Sequence, residues 1–536
     1  VGHGTHTLGI VLGTGSTGLG DVQGFDYGLG VAPGATAVVQ NAINLFADAF
    51  DDGYTPIYKE AQDLGAIVSQ NSWGPSGEPE GYDEDTREFD SMVRDVDASE
   101  PGDQPMALVF SIMNGGGGES TQGSPDEGKN IIGVGGTFNR GPTTGRTPDD
   151  LCTCTAHGPA LDGRLLPTLV APGQQVISTR ATQGTLCGIP FAGWSPTAPA
   201  AETPPSPIHA GCTGTSMASP HVSGGYAVFV DWYRDHFGGA TPSPALVKAA
   251  FVNGADDLAG ALDADGEEMT HIPNNQQGWG RFNLGNVLAG WSAGAVHVDQ
   301  SVVFTASGQS HALTVEPIDP TRPMRATLTW TDALGPGLGG ETPAWVNDLD
   351  LTVTSRGTTW LGNVFSEGWS VPGGEADRKN NVENVYLPTA SAPKYRVNVN
   401  AANIIGDGMP NRAGLTDQDF ALVISNARPA KSVAIRKGKV TEPDRGKRAM
   451  KFKVTLTEAS PTPVTLDWRT TAGSAKPGKD FVPAAGTLRF GPGDGSATLR
   501  VPVKGDRRDE RRETLQVHVF SSSGTTVGIG RIKDED

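Results

Sequence analysis

Short apolar runs separated by glycine-rich turns dominate the first 292 residues. Residues 107–112, 131–134 and 166–170 are such runs, and continuous apolar segments of this length are typical of parallel strands that are buried on both faces. Residues 217–237 are apolar in their first half and charged towards their end, which predicts a helix. We therefore expect an α/β fold over residues 1–292, in which helices cover both faces of a parallel sheet.

The pattern changes from about residue 293, where apolar and polar residues alternate between turns rich in Gly, Pro and Asn. Such alternation is typical of antiparallel strands with one buried face, and it predicts an all-β sandwich or barrel over residues 293–428. A second all-β sandwich or barrel is predicted over residues 429–536. The expected strands of the two β domains include residues 326–331, 349–353, 395–399, 450–456, 464–470, 487–490, 497–503 and 515–520.

Composition narrows the set of possible partners. The chain has 536 residues and a formal net charge of −19, which opposes nucleic-acid binding because that needs concentrated Lys and Arg. No apolar stretch reaches the roughly 18 residues of a membrane span. We expect a monomer that neither binds nucleic acid nor spans a membrane. The chain opens at Val1 in the middle of a motif, so we expect upstream sequence, including any signal peptide, to be missing.

The four cysteines leave the disulfide pattern open. Cys187 and Cys212 are compatible with a bond and equally with two buried thiols. Cys152 and Cys154 are separated by one residue, which we take as too tight for an easy bridge. No spacing among the four matches a zinc site or a redox motif, and we expect no redox or organic cofactor.

Residues 214–220 (Gly-Thr-Ser-Met-Ala-Ser-Pro) place a serine after a flexible turn, at the start of an apolar helix. Such a turn exposes the hydroxyl of Ser216, and the amides of the first helical turn can stabilise negative charge beside it. This arrangement suits a nucleophile, although a serine in this position is more often only a helix cap.

Two further segments carry candidate chemistry. In residues 2–6 (Gly-His-Gly-Thr-His), small neighbours leave the ring of His3 room to face a cleft. The two histidines could instead bind a metal, but no third ligand follows at the spacing of zinc proteases. In residues 109–116 an apolar run leads into Asn114 and then glycines. An Asn there can donate its amide N–H groups to an oxyanion, whereas Asn-Gly pairs more commonly form turns.

Together these segments resemble the motifs of the subtilisin-like serine proteases (subtilases), in the right order over about 290 residues. Residues 71–74 (Asn-Ser-Trp-Gly) add to the likeness, because they resemble the strand that pairs with bound substrate. The resemblance implies the following site residues: His3 as general base, Ser216 as nucleophile, Asn114 as oxyanion donor, and Ser72, Trp73 and Gly74 as substrate-binding residues.

Residues 277–281, 346–351 and 380–385 resemble more particularly the alkaline subtilases that carry a C-terminal β-barrel. Residues 293–428 would then be a jelly-roll-like domain. The resemblance implies a secreted or cell-surface serine endopeptidase that hydrolyses protein or peptide substrates through an acyl-enzyme on Ser216.

Two features depart from the family pattern. The order Asp, His, Ser puts the triad aspartate upstream of Val1, so the chain by itself is expected to be weakly active or inactive. The family usually has a small residue before the oxyanion Asn, and we expect the bulky Met113 to reshape the substrate pocket. A competing interpretation is an inert protease fold in an adhesion or calcium-binding surface protein, and a missing upstream Asp motif would favour it. A processing protease with one partner is a third.

Carboxylates suggest calcium in both β domains, because hard oxygen ligands from turns suit that ion. In the first domain they could equally be solvated turn residues. The candidates there are Asp348, Asp350, Asp377 and Glu383. Residues 431–536 resemble a Calx-beta domain, which implies a second calcium site whose candidate ligands are Glu442, Asp480, Glu510, Asp534 and Asp536. Arg507, Arg508, Arg511 and Arg512 lie in the same loop and could neutralise this second site.

Overall fold

The computed structural model forms two compact units. It describes residues 2–20, 24–40, 53–74, 78–139, 146–182, 187, 208–412, 414, 416–430, 433–456, 463–521 and 524–534. The larger unit comprises residues 1–313 and 317–427, and the smaller comprises residues 314–316 and 428–536. The region predicted as the first β domain therefore belongs to the same compact unit as the α/β region.

The α/β part of the larger unit alternates helices and strands. Its helices are α1 Gly2–Leu12, α2 Thr55–Asp63, α3 Glu84–Arg94, α4 Thr215–His236, α5 Pro244–Gly254 and α6 Leu284–Gly294. Its strands are β1 Val68–Asn71, β2 Ala107–Ser111, β3 Ile132–Phe138, β4 Leu169–Gln174, β5 Val176–Thr179 and β6 His209–Cys212. The three apolar runs predicted as strands thus fall on β2, β3 and β4.

Strands β1 to β4 form a parallel sheet in chain order. Side chains of β2 alternate between its faces, as strand geometry requires. Val109 packs in a cluster with residues of α4 and α5, whereas Leu108 and Phe110 pack with residues of α2 and α3. The carboxyl ends of β1 and β2 therefore lie beside the start of α4, and the segments that follow these strands can reach it.

The first β domain contributes two antiparallel layers. Strands β13, β9, β15 and β7 lie side by side in one, and β12, β11, β10, β14 and β8 in the other. Their bounds are β7 Ala295–Phe304, β8 Ser310–Pro317, β9 Met324–Thr329, β10 Asp348–Ser355, β11 Thr358–Ser366, β12 Trp369–Pro372, β13 Val382–Leu387, β14 Tyr395–Asn403, β15 Gln418–Ser425 and β16 Ala427–Pro429. Buried and partly exposed residues alternate strictly along β10.

The core continues from the α/β part into this β domain. Val382 and Val423 belong to the same buried cluster as Leu246 and Phe251 of α5. A buried ion pair also joins the two parts, because Lys129 Nζ lies 2.7 Å from Asp332 Oδ2. These contacts explain why the two regions form one compact unit even though their sequence patterns differ.

The smaller unit is an antiparallel sandwich with one parallel pair. One layer has the order β17-β19-β22 and the other β18-β24-β23-β20-β21. The strands are β17 Val433–Ile435, β18 Gly438–Thr441, β19 Gly446–Leu456, β20 Val464–Ala472, β21 Ala485–Phe490, β22 Ser496–Gly505, β23 Glu513–Ser521 and β24 Gly524–Lys533. Along β19, Phe452 and Val454 are buried while Lys451 and Lys453 are exposed, and the alternation predicted from the sequence is confirmed.

The cysteines form two disulfides. Cys187 is bonded to Cys212, which was one of the two alternatives left open. Cys152 is bonded to Cys154, so the prediction that this pair is too close was wrong. A turn after Leu151 brings their Cα atoms to 5.1 Å, within the usual range for a disulfide. Among the described helices, none has the length and apolarity needed to cross a membrane.

Candidate active site and acidic clusters

Ser216 is the second residue of α4 and is partly exposed. The helix is preceded by Gly214, whose φ of 153° is one that residues with a side chain rarely adopt. A Cβ at Gly214 would lie 3.3 Å from the side-chain oxygen of Asn114. Glycine therefore lets the chain turn sharply into the helix close to Asn114, and it leaves Ser216 in the first turn, where the backbone N–H groups have no helical partner.

Ser72 completes the hydrogen bonding of the first turn of α4. In a regular helix the carbonyl of Ser216 would accept from the N–H of residue 220, but Pro220 has no N–H. The hydroxyl of Ser72 donates to the Ser216 carbonyl at 2.8 Å instead. The segment after β1 is thereby fixed directly to the residue predicted as the nucleophile.

The side chain of Asn114 is oriented by Thr215. Its amide oxygen accepts from the Thr215 N–H at 2.8 Å and from the Thr215 hydroxyl at 3.1 Å. The oxygen end of the amide therefore faces the start of α4. Asn114 is exposed, so its amide lies at the surface beside Thr215, the residue before Ser216.

His3 lies in the first turn of α1, and α1 packs against α4. His6 lies one turn further along α1. Burial lowers the pKa of His3, which favours the neutral ring that a general base requires. His6 is fully buried against the Ala210 carbonyl at 3.0 Å, and burial lowers its pKa to about 4.

Trp73 and Gly74 follow Ser72. The ring of Trp73 packs edge-on against Phe89 and Phe110, and its indole N–H donates to Asn71 at 3.2 Å. Its side chain therefore anchors the segment, while the exposed Gly74 presents backbone to solvent. An extended substrate could pair with that backbone by adding a strand.

The four acidic candidates of the first β domain influence one another's pKa values, but no three of them bring ligand oxygens within 4.8 Å of one another, as two other sets of described residues do. Asp350 and Asp377 both contribute to raising the pKa of Asp348 to about 6, after burial as the main cause. Burial also raises the pKa of Glu383 well above its usual range, and the other three carboxylates of the cluster add to that shift.

Not all oxygens of this cluster have a protein donor. Glu383 accepts from the Leu351 N–H at 2.5 Å, and Asp377 accepts from the side chains of Asn363 and Asn380. Among the described residues, one buried oxygen of Asp350 and one of Glu383 find no hydrogen-bond partner. Unpartnered buried carboxylate oxygens are the kind of ligand that a hard cation such as calcium prefers.

The acidic candidates of the smaller unit converge. Oxygens of Asp480, Glu510 and Glu513 lie within 4.8 Å of one another. The carboxylates of Asp534 and Glu510 help to raise the pKa of Glu442, after burial as the main cause. Asp536 lies outside the described residues. Glu513 was not predicted as a ligand. It lies at the start of β23, and its proximity to Asp480 becomes visible only once the strands are paired.

A lysine rather than an arginine lies inside this second cluster. Lys479 Nζ is 2.5 Å from Glu510 and 3.3 Å from Asp480. Arg508 is 3.9 Å from Glu510 and 74% exposed. The neutralising charge that the sequence suggested is therefore present, and it comes from the residue next to Asp480.

A further cluster was not anticipated from the sequence. His157, Asp263 and Asp265 bring one potential ligand atom each within 4.8 Å of the others. The amide of Gly118 donates to Asp265 at 2.8 Å, and His157 Nδ1 lies 3.1 Å from the Gly118 carbonyl. The cluster therefore contacts the glycine loop that follows Asn114. The signal in the sequence was the acidic turn of residues 263–268.

The α/β part is of the class of serine-protease-like proteins. It has a parallel sheet, a serine at the start of a helix, an Asn amide beside that serine, and a neighbouring helix that carries a histidine. The family model described as "Subtilase family" matches residues 1–280, and the chain belongs to that family. The model described as "Calx-beta domain" matches residues 430–531, so the smaller unit carries a Calx-beta domain.

Curated relatives agree with this assignment. The serine protease/ABC transporter B family protein tagD of Dictyostelium discoideum is 25% identical over 310 residues, which are 48% of this chain and 16% of that protein. The related tagB of the same organism is 23% identical over 299 residues, which are 47% of this chain and 15% of that protein. The chain thus spans about a sixth of the length of these relatives.

Solved structures give weaker overlaps. A lanthipeptide protease is 16% identical and covers 54% of this chain and 76% of its own, with a TM-score of 0.35. The apo form of the Calx CBD1 domain is 22% identical and covers 19% of this chain and 98% of its own, with a TM-score of 0.16.

Proposed function

We propose that this chain is part of a secreted or cell-surface serine endopeptidase that cleaves protein or peptide substrates through an acyl-enzyme on Ser216. The observation that carries the proposal is the pair of hydrogen bonds from Thr215 to the amide oxygen of Asn114. They fix an amide side chain beside a serine at a helix start, which is the geometry needed to stabilise an oxyanion next to a nucleophile.

In the proposed reaction, His3 removes the proton from the Ser216 hydroxyl as its oxygen attacks the scissile carbonyl. The N–H groups of Asn114 and the amide of Ser216 hold the oxyanion of the tetrahedral intermediate. His3 then protonates the leaving amine, and water hydrolyses the acyl-enzyme by the reverse sequence of proton transfers. The aspartate that orients His3 is expected upstream of Val1.

The substrate is proposed to lie along residues 72–74. The Ser72 side chain is engaged with α4 and the ring of Trp73 with its aromatic neighbours, so we assign substrate binding to the backbone of this segment. We propose that helices cover both faces of the sheet and so keep the site rigid. The packing of α3 and α4 supports this arrangement. A monomer is the expected state.

We also propose structural calcium. In the first β domain Asp348, Asp350, Asp377 and Glu383 would hold the ion, which would satisfy the buried oxygens of Asp350 and Glu383 that find no partner among the described residues. In the Calx-beta domain the proposed ligands include Asp480, Glu510 and Glu513, with Glu442 and Asp534 nearby, and the ion would compete with Lys479. Neither ion takes part in the proposed hydrolysis.

The test uses the full-length protein, including its sequence upstream of Val1. A fluorophosphonate probe should label Ser216, and Ser216→Ala should abolish both labelling and peptide hydrolysis. Ser223→Ala, two turns further along the same helix, is the matched control and should label normally. Labelling that survives Ser216→Ala would reject the nucleophile. A well-folded protein without any labelling would favour the inert, calcium-binding interpretation.

A further inference from the structure

Met113 has an unusual backbone for a long side chain. It lies between the end of β2 and Asn114, with a φ of 67°, in the left-handed region that residues other than Gly, Asn and Asp rarely adopt. Its carbonyl accepts from the Ala156 N–H at 3.2 Å. Only 3% of the residue is exposed, so the side chain is turned inward although its neighbour Asn114 is exposed.

The side chain of Met113 reaches across to the segment predicted to bind substrate. A Cβ at Gly74 would collide with Met113 Cε, and it would lie 3.1 Å from Met113 Sδ and 2.9 Å from the Ser124 carbonyl. The end of the thioether therefore occupies the space next to the Gly74 Cα, and the Ser124 carbonyl borders the same space.

That space is where a substrate side chain would have to enter. A scissile carbonyl held by Asn114 and attacked by Ser216 carries its own residue's Cβ only three bonds from the carbonyl oxygen. The Cβ must therefore lie next to the chain neighbours of Asn114. Because Ser72 is bonded to the Ser216 carbonyl at 2.8 Å, residues 72–74 form the facing wall. Met113 occupies the gap between these walls.

We propose that Met113 closes the side-chain pocket on the acyl side of the scissile bond, so that the enzyme selects substrates with Gly or Ala at the residue that supplies the scissile carbonyl. This inference rests on the proposed function of Ser216 and Asn114. Met113 acts as a specificity residue through the volume of its side chain and takes no part in the chemistry.

The experiment measures kcat/KM of the full-length protein on peptides that differ only at the residue supplying the scissile carbonyl. The unsubstituted enzyme should cleave after Ala at least about 10-fold faster than after Leu or Phe, since pocket fit of this kind is worth roughly 10- to 200-fold. Met113→Gly, which also suits the backbone φ, should raise cleavage after Leu and Phe by about 10-fold or more. Cleavage after Ala should change by less than about 3-fold.

Met269→Ala is the matched control, since Met269 is also buried, at 5% exposure, but packs with Leu151 and Leu258 instead. It should leave the side-chain profile unchanged. Met113→Ala provides a second opening of the pocket if the glycine variant folds poorly. Two results with a probe-labelled enzyme would overturn this inference but not the proposed function. One is an unsubstituted enzyme that already prefers Leu or Phe, and the other is a side-chain profile that neither Met113 variant changes. An unlabelled Ser216 would overturn the proposed function and this inference with it.

Discussion

The serine site and the acidic cluster of the first β domain differ in how their polar groups are satisfied. Near Ser216, the Ser216 carbonyl, which has no helical donor because residue 220 is Pro, accepts from the Ser72 hydroxyl. The amide oxygen of Asn114 accepts from the Thr215 N–H. In the acidic cluster, Asp350 and Glu383 each keep a buried oxygen without a partner among the described residues. The first site is organised by the protein itself, whereas the second needs a cation or protons to become stable.

Burial acts in the same sense on both sites but with opposite consequences. It lowers the pKa of His3 and raises that of Glu383, so in each case the neutral form is favoured. A neutral imidazole is the active form of a general base. A neutral carboxyl group, in contrast, is a poor calcium ligand. The same physical effect therefore prepares the serine site for its proposed chemistry and opposes the proposed role of the acidic cluster.

The largest effect should come from breaking the organisation of the serine site. Asn114→Ala removes the side-chain oxyanion donor, and we expect kcat to fall by about 100- to 1000-fold, with little change in KM. The measurement is steady-state hydrolysis by the full-length protein. Thr215→Val keeps the backbone N–H bond to Asn114 and loses only the hydroxyl contact, so it should cost far less. Equal losses in the two variants would contradict the assignment of Asn114.

The acidic cluster should respond to calcium instead. A calcium concentration near 100 times Kd stabilises by about 2.7 kcal/mol, which should raise the Tm of the larger unit by about 3 °C. Glu383→Gln should remove most of that gain. In the presence of EDTA the same variant should be about as stable as the unsubstituted protein, because burial favours the neutral carboxyl group of Glu383, which Gln matches in shape and charge.

Differential scanning calorimetry with calcium and with EDTA checks both expectations. Glu341→Gln is the matched control, since Glu341 is exposed in the same domain and should behave like the unsubstituted protein. A Tm that is equal with calcium and with EDTA would remove calcium from this cluster, and so would a full calcium response in Glu383→Gln.

Much of the fold could be predicted from local pattern. The apolar run 107–112 contains β2, and the stretch 217–237 lies mostly in α4. Both could be predicted because burial on both faces of a strand, and the period of a helix, leave a pattern among residues that are close in sequence. The two-sheet alternation of the β domains followed in the same way. The union of the α/β part with the first β domain was not predicted, because a shared core and the Lys129–Asp332 pair join residues about 200 positions apart.

The sequence predicted which residues form the candidate site but not how they are arranged. Sequence motifs pointed to Ser216 and Asn114, yet the bond from Ser72 to the Ser216 carbonyl spans 144 residues and has no local signal. For the Calx-beta domain, charge counting drew attention to four arginines. The basic side chain inside the cluster is that of Lys479. Which basic side chain reaches the carboxylates depends on its position in the turn and not on the number of charges nearby.

A smaller effect separates the two acidic clusters. Since the ammonium of Lys479 already contacts Glu510 and Asp480, calcium must displace it, and Lys479→Ala should lower the calcium Kd of the smaller unit by about 10-fold. Isothermal titration of the full-length protein carrying Glu383→Gln isolates this site. Lys451→Ala, an exposed change of the same charge on β19, is the control. An unchanged Kd in Lys479→Ala would show that the lysine does not compete with the ion.

The smallest expected effect is a difference in pH dependence between the two sites. Burial lowers the pKa of His3, whereas the carboxylate expected upstream of Val1 would raise it in the full-length protein, so removing that carboxylate should move the acid limb of the kcat/KM profile to lower pH. Calcium affinity of the first β domain should instead weaken as pH falls, since raised carboxyl pKa values make protons compete with the ion. Rate–pH and calcium–pH profiles of the same protein test both.

His236→Gln, which alters an exposed histidine of α4, is the control and should move neither profile. An acid limb that stays in place without that carboxylate would contradict a buried His3 paired with an aspartate, and with it the contrast between the two sites.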